Sequence, residues 1–223
     1  MSEIIHKLEE LTGRKINHNE SLAAHTLLQD NTTAEYYIEI DTIDGLIKCV
    51  SAARSLKLPV FVFGSGSFFS LPDETILGLT IKNNCRRFDK ISMKGKIRDQ
   101  AVGVEEVLIQ AESGTLVNQL VRFVIEEGLS GLEYYLGLPG TVGGAIYTNA
   151  KYKNNYVRDQ LKAIRVLTME GKVEMHTDNL DKHIEDSILL SAIFRLIPGN
   201  KTILWERGKE ASEYRTNNKK RYT

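Results

Sequence analysis

The chain has 223 residues, 42% hydrophobic and 26% charged, enough for one large domain or two small ones with proper cores. Lys+Arg and Asp+Glu both number 29, so the formal net charge is zero. That argues against a general nucleic-acid or anionic-membrane surface and leaves room for a local anion pocket. Cys49 and Cys85 are too few and too far apart for a disulfide framework or a metal motif, and they fit a reducing compartment. No segment reads as a signal peptide or a membrane span, so the expectation is a cytoplasmic protein with no metal, nucleic-acid or membrane partner.

In chain order, SEIIHKLEELTG reads as a short amphipathic helix with Ile4, Ile5, Leu8 and Leu11 at helical spacing and Gly13 as its stop. Ala34–Ile40 is β-branched and aromatic, the composition of a strand. A helix follows, capped by Asp41 or Thr42, with Ile43, Leu46, Ile47 and Val50 as its apolar stripe. Pro59–Phe63 is almost wholly apolar, the pattern of a buried strand, so strand, helix and strand predict a βαβ unit. Thr75–Lys82 is a further strand, and Phe88–Ala111 reads as antiparallel strands turning at Gly95 and Gly103. Thr115 is expected to cap a strong helix ended by Gly128. Beyond the glycine-rich stretch, a hairpin turning at Glu170-Gly171, a strand over Leu189–Ile197 and a polar, helix-prone end with little to bury complete the pattern. The fold class is α+β, in four segments: an N-terminal helix (1–20), a small lobe (21–84), a larger lobe (85–200) and a polar C-terminal segment (201–223).

Two glycine stretches carry the candidate chemistry. Gly64, Ser65, Gly66 and Ser67 end the apolar run of Pro59–Phe63. Glycines there let consecutive N–H groups point outward as a nest for phosphate oxygens, and the two serines add hydroxyl donors; a tight turn without ligand is the alternative. The spacing is neither a P-loop nor a dinucleotide fingerprint. The second stretch, GLEYYLGLPGTVGGAIYTNA (Gly131–Ala150), holds Gly131, Gly137, Gly140, Gly143 and Gly144. Missing side chains allow backbone to lie flat against a ligand or against other protein. Pro139, Gly140, Thr141, Gly143, Gly144 and Asn149 are its candidate cofactor-binding residues.

These segments resemble a known family. The second stretch is similar to the flavin-binding signature of the UDP-N-acetylenolpyruvoylglucosamine reductase (MurB) family, G-L-E-x-x-x-G-I-P-G-x-V-G-G-A-x-x-x-N-A-G. LPVFVFGSGSFFS resembles that family's strand and G-x-G-S-N loop, SLAAHT (Ser21–Thr26) its S-L-A-x-x-T, and SAIFRL the strand closing its flavin domain. The resemblance runs from about Ser21 to Leu196. It implies non-covalent FAD held in a two-lobed fold like that of the vanillyl-alcohol-oxidase and MurB flavoproteins, with NADPH as reductant and a UDP-sugar enolpyruvyl ether as substrate in peptidoglycan synthesis.

The resemblance also has gaps. The family's G-Y-R-D-S aligns with HIEDS, so Ile184 stands where a Tyr is expected and Glu185 where an Arg is expected. Exchanging a guanidinium for a carboxylate changes the charge by two units, each worth about 4 kcal/mol at about 4 Å and an effective dielectric of about 20. Arg158 or Arg195 stands as a substitute cation, and His183 beside the lost pair reads as a lone surface histidine. Phe68 replaces the Asn of G-S-N, and AKYKNN replaces a glycine turn after Asn149. The family's C-terminal Ser and Glu have no counterpart before Thr223. Catalytic residues are therefore unassigned, and three readings stay open: the flavin part of such a reductase, an FAD-binding module or redox partner without that activity, and an interaction protein that has lost the cofactor.

Overall fold

The computed structural model describes residues 2–26, 31–67, 74–98 and 101–218, and the chain divides into two compact units, Met1–Cys85 and Arg86–Thr223. Phe68 lies outside the described residues.

The first unit is a four-stranded sheet in the order β1-β2-β4-β3 with two helices. Helix α1 (Ser2–Thr12) buries Leu8, partly buries Ile5 and leaves Ile4 and Leu11 exposed, so only half of the expected stripe is seated. β1 (Asn17–Ser21) pairs antiparallel with β2 (Thr33–Ile40) and has no hydrophobic alternation to announce it. α2 (Ile43–Ser55) is capped by Thr42, whose hydroxyl accepts from the Gly45 amide at 3.2 Å, and buries Ile43, Leu46, Cys49, Val50, Ala52 and Ala53. β3 (Val60–Phe63) and β2 both run parallel to β4 (Thr75–Asn83), which lies between them. The βαβ crossover therefore exists, but its strands are not neighbours. β3 is the sheet edge and only Phe63 is fully buried, so the apolar run marks a half-buried edge strand, not a central one.

The second unit is built on an antiparallel sheet in the order β11-β10-β12-β6-β5. β5 (Phe88–Arg98) and β6 (Ala101–Glu112) form one long hairpin. Gly95 pairs with Val104 and Gly103 with Lys96 inside the ladder, so neither glycine is the expected turn. α3 (Val117–Glu126) has Leu116 and not Thr115 at its N-cap; the fully buried Thr115 hydroxyl instead donates to the Arg87 carbonyl at 3.3 Å. Gly128, at φ +68°, ends it as expected. After β7 (Leu129–Ser130) come the short helix α4 (Val142–Tyr147), the small hairpin β8 (Lys151–Tyr152) and β9 (Asn155–Tyr156), then β10 (Leu161–Thr168), β11 (Val173–His176), α5 (Leu180–Glu185), β12 (Ser187–Pro198) and α6 (Lys201–Asn217). Cross-strand neighbours Val107 and Leu196, Ile109 and Phe194, and Ala111 and Ala192 present one apolar face, which joins α3 and α4 in a single core. The C-terminal helix does bury a face. Leu204, Gly208 and Ala211 are buried; the last two are small, which hid the face from a reading based on bulky apolar residues.

Candidate functional site

In the first unit the loop Gly64–Ser67 follows directly from β3 at the carboxyl end of the parallel strands, where ligands of such sheets bind. The Ser65 and Ser67 hydroxyls lie 3.1 Å apart. The amides of Ser65, Gly66 and Ser67 have no hydrogen-bond partner among the described residues. Gly66 adopts φ +58°, and a β-carbon there would sit 2.6 Å from Thr26 Cγ2. Glycine is therefore enforced twice, by the left-handed backbone and by the approach of Thr26. Thr26 is 8% exposed, and its hydroxyl is buried without a partner among the described residues. Three amides and one hydroxyl without partners among the described residues, with the two serine hydroxyls beside them, suit an anion such as a pyrophosphate.

Thr26 belongs to a strap, Leu22–Thr26, whose Leu22 packs on Ala34, Tyr37 and Phe63 of the sheet, and its neighbour His25 is held from both sides. His25 Nε2 lies 2.9 Å from Glu20 Oε1, and Nδ1 lies 3.2 Å from Glu39 Oε1. Glu39 also accepts from the Tyr37 hydroxyl at 2.8 Å and from the Asn84 amide at 2.8 Å, with Lys82 Nζ at 3.7 Å. Burial works to raise the Glu39 pKa, but the Tyr37 hydrogen bond, the Lys82 and His25 charges and Asn84 outweigh it, and the carboxyl is held below its ordinary value. Burial, then the Glu39 carboxylate, pushes the Tyr37 hydroxyl far upward.

In the second unit the glycine-rich stretch folds as a 3-10 turn (Glu133–Tyr135), a loop, and α4. Thr141 caps α4, its hydroxyl accepting from the Gly144 amide at 3.3 Å. The Val142 amide donates to Thr115 O at 2.8 Å, Gly143 to Ser113 O at 2.7 Å, and Ala145 to Thr141 O at 2.9 Å. These donors face protein. Three of the five glycines likewise abut protein. A β-carbon on Gly131 would meet Leu196 and Gln160, one on Gly137 would meet Ser212, and one on Gly143 would lie 3.0 Å from Ser113. Asn149, at φ +46°, accepts from the Arg158 amide at 3.4 Å, and Pro139 is exposed.

The stretch is clamped by α6. Glu133, 1% exposed, accepts from the Gly131 amide at 2.6 Å and the Ser130 hydroxyl at 2.9 Å, and pairs with Arg207 at 3.4 Å. Arg215 donates to the carbonyls of Leu136 at 2.9 Å and Tyr134 at 2.6 Å. The abruptly polar KYKNNY is the β8–β9 hairpin, and it docks on the same helix. Tyr152 donates to Glu210 at 3.1 Å and stacks beside Tyr134, while Lys153 reaches Glu210 at 2.8 Å. Lys153 takes φ +53°, a left-handed turn position that glycine would fill without strain.

The positions aligned with the family's Tyr-Arg pair part company. Ile184 is 1% exposed within the core, whereas Glu185 is exposed to solvent, which weakens the charge effect expected of it. Arg158 is not free to substitute. Its Nε donates to Ile146 O at 2.8 Å, one NH group to Tyr147 O at 2.8 Å and the other to Asp181 at 2.5 Å. Arg195 is half exposed and lies 3.9 Å from Glu106. His183 is not a lone histidine, since its ring stacks on His176 with centroids 3.4 Å apart. Among the described residues no His, Cys, Asp or Glu cluster could hold a metal, and no helix is long and apolar enough to cross a membrane.

Likeness to solved flavoproteins gives the class, an α+β, two-lobed FAD-binding fold of the kind seen in the vanillyl-alcohol-oxidase and MurB flavoproteins. The chain belongs to the FAD binding domain family, which residues 34–176 match, and its likeness is to the FAD-binding part of the MurB family. The UDP-N-acetylenolpyruvoylglucosamine reductase of Parasynechococcus marenigrum (strain WH8102) is 30% identical over 198 residues, covering 85% of this chain and 62% of the relative. That of Agathobacter rectalis is 31% identical over 199 residues, covering 85% and 63%. The chain thus spans less than two thirds of these relatives' length. Among solved structures, the UDP-N-acetylenolpyruvylglucosamine reductase of Thermus caldophilus superposes with a TM-score of 0.62 at 22% identity, covering 91% of this chain and 69% of that one. The VAO-type flavoprotein MtVAO615 of Myceliophthora thermophila C1 gives 0.65 at 12% identity, covering 89% and 47%.

Proposed function

We propose that this chain binds FAD non-covalently and serves as the flavin-holding part of a UDP-N-acetylenolpyruvoylglucosamine reductase. The family match over residues 34–176 carries the reading, and the amides of Ser65, Gly66 and Ser67, unpaired among the described residues, support it from the structure. Gly64, Ser65, Gly66 and Ser67 receive the pyrophosphate in the first unit. In the second unit Pro139, Gly140, Thr141, Gly143, Gly144 and Asn149 are the proposed cofactor-binding residues. Of these, Gly143 and Thr141 act by placing backbone, because the Gly143 amide and the Thr141 hydroxyl already have partners. Bound FAD supplies the redox chemistry, here proposed to be reduction of a UDP-sugar enolpyruvyl ether with electrons from NADPH.

The residues at 184 and 185 favour a chain that holds flavin without completing that reduction alone. A buried isoleucine donates no proton, and an exposed carboxylate does not hold an anionic substrate. Stripping the protein and adding FAD tests the binding, read as a shifted flavin absorption band. NADPH oxidation with and without the UDP-sugar substrate then tests the chemistry. A bound flavin without substrate-dependent turnover is the expected result. Turnover by this chain would sink the incompleteness, and no flavin binding would leave an interaction protein.

A further inference from the structure

Among the described residues, nothing bonds the Thr26 hydroxyl. It is buried, and an unsatisfied buried hydroxyl is costly where a valine of the same shape is not. Its position is nonetheless fixed with care. The Thr26 and His25 amides both donate to Leu22 O, at 3.1 and 2.9 Å, and His25 is gripped between Glu20 and Glu39. Thr26 Cγ2 packs against Gly66, the middle of the three residues whose amides are free among the described residues. A single ~120° step about χ1 carries Oγ1 into the place Cγ2 holds, with Cγ2 moving on to the place of the β-hydrogen, and brings the hydroxyl to that contact.

We propose that the Thr26 hydroxyl is a donor to the phosphate oxygens of the ligand that the Ser65–Ser67 amides hold. This rests on reading the loop as the pyrophosphate site of FAD, and it adds a binding residue from a separate segment of the chain. The strap then acts as part of the anion site: the His25 grip keeps Thr26 beside Gly66 whether or not ligand is present.

The test uses the full chain and two variants, Thr26→Val and Thr26→Ser, with flavin fluorescence for affinity and thermal melting of the ligand-free protein for stability. Thr26→Val is expected to melt at or above the wild-type temperature, since it removes an unsatisfied hydroxyl. It is also expected to bind FAD about 10- to 100-fold more weakly, the worth of one hydrogen bond to a charged oxygen. Thr26→Ser restores the affinity. Riboflavin, which lacks phosphate, is affected by neither change, and competition by ADP weakens in step with FAD.

Unchanged FAD affinity in Thr26→Val overturns the proposal and leaves the hydroxyl to a bound water. A lower melting temperature with equal losses for FAD and riboflavin overturns it in favour of a packing role. If wild type takes no FAD but binds ADP or inorganic pyrophosphate with the same Thr26→Val loss, the donor role stands and the flavin reading falls. If it binds none of them, both fall.

Discussion

Gly137→Ala separates two explanations of the glycine-rich stretch, backbone laid against cofactor and backbone laid against protein. Gly137 has φ +80°, a conformation that costs an alanine about 1–2 kcal/mol. Its new β-carbon would overlap Ser212 Oγ and lie 2.9 Å from Ser212 Cβ and 3.2 Å from the Ser212 α-carbon on α6. Relieving such an overlap in a packed seam costs about 1–3 kcal/mol. The sum, about 2–5 kcal/mol, should appear in the urea unfolding of the second unit. Ser212→Gly removes the side-chain part of the clash and leaves the crowding by backbone and the left-handed strain. The double variant should therefore recover about 1–2 kcal/mol relative to additivity. FAD affinity of the folded Gly137→Ala protein should stay within about threefold of wild type, under about 1 kcal/mol. A destabilisation under about 0.5 kcal/mol, the scale of an ordinary surface change, or a stable variant that loses FAD, would refute the packing account of this glycine.

Further outcomes follow from the same kind of close approach and pairing. Gly78→Ala should destabilise the first unit by about 3 kcal/mol or more in chemical unfolding, because Gly78 has φ +85° and its β-carbon would strike the Pro59 carbonyl. Arg158→Lys keeps the charge but cannot serve the Ile146 and Tyr147 carbonyls and Asp181 together; a loss of about 1–3 kcal/mol is expected in thermal melting. The Glu39 carboxyl is held below its ordinary value in the folded state, so its contribution is present at neutral pH and is lost as pH falls below the ordinary carboxylate range. The acid limb of the stability profile should therefore be shallower in Glu39→Gln. Lys153→Gly exchanges relief of a left-handed backbone for loss of an exposed ion pair, and unfolding should shift by less than about 1 kcal/mol.

What was legible in the sequence follows from where each signal resides. Thr42 and Gly128 act on their own helices, so local chemistry names them. The antiparallel strands of the second unit alternate visibly, and their buried faces meet as the pattern implies. β1 is an edge strand of polar residues and leaves no trace in hydropathy. Gly95 and Gly103 look like turns because glycine usually breaks strands, yet a long hairpin runs through both. The glycine-rich stretch was ambiguous because its partners, Ser113, Leu196 and Ser212, are remote in sequence. A missing side chain shows that something comes close, not what. Thr26 was visible only as part of a motif, since an orphaned hydroxyl is a property of the folded chain.

The most direct test of the central claim is a titration of the full chain with FAD, followed by flavin fluorescence, with ADP as competitor. Saturable binding at or below about 10 µM, relieved by ADP, is the predicted result. An absence of binding at concentrations about a hundredfold higher would contradict the assignment of Gly64–Ser67 as a pyrophosphate site.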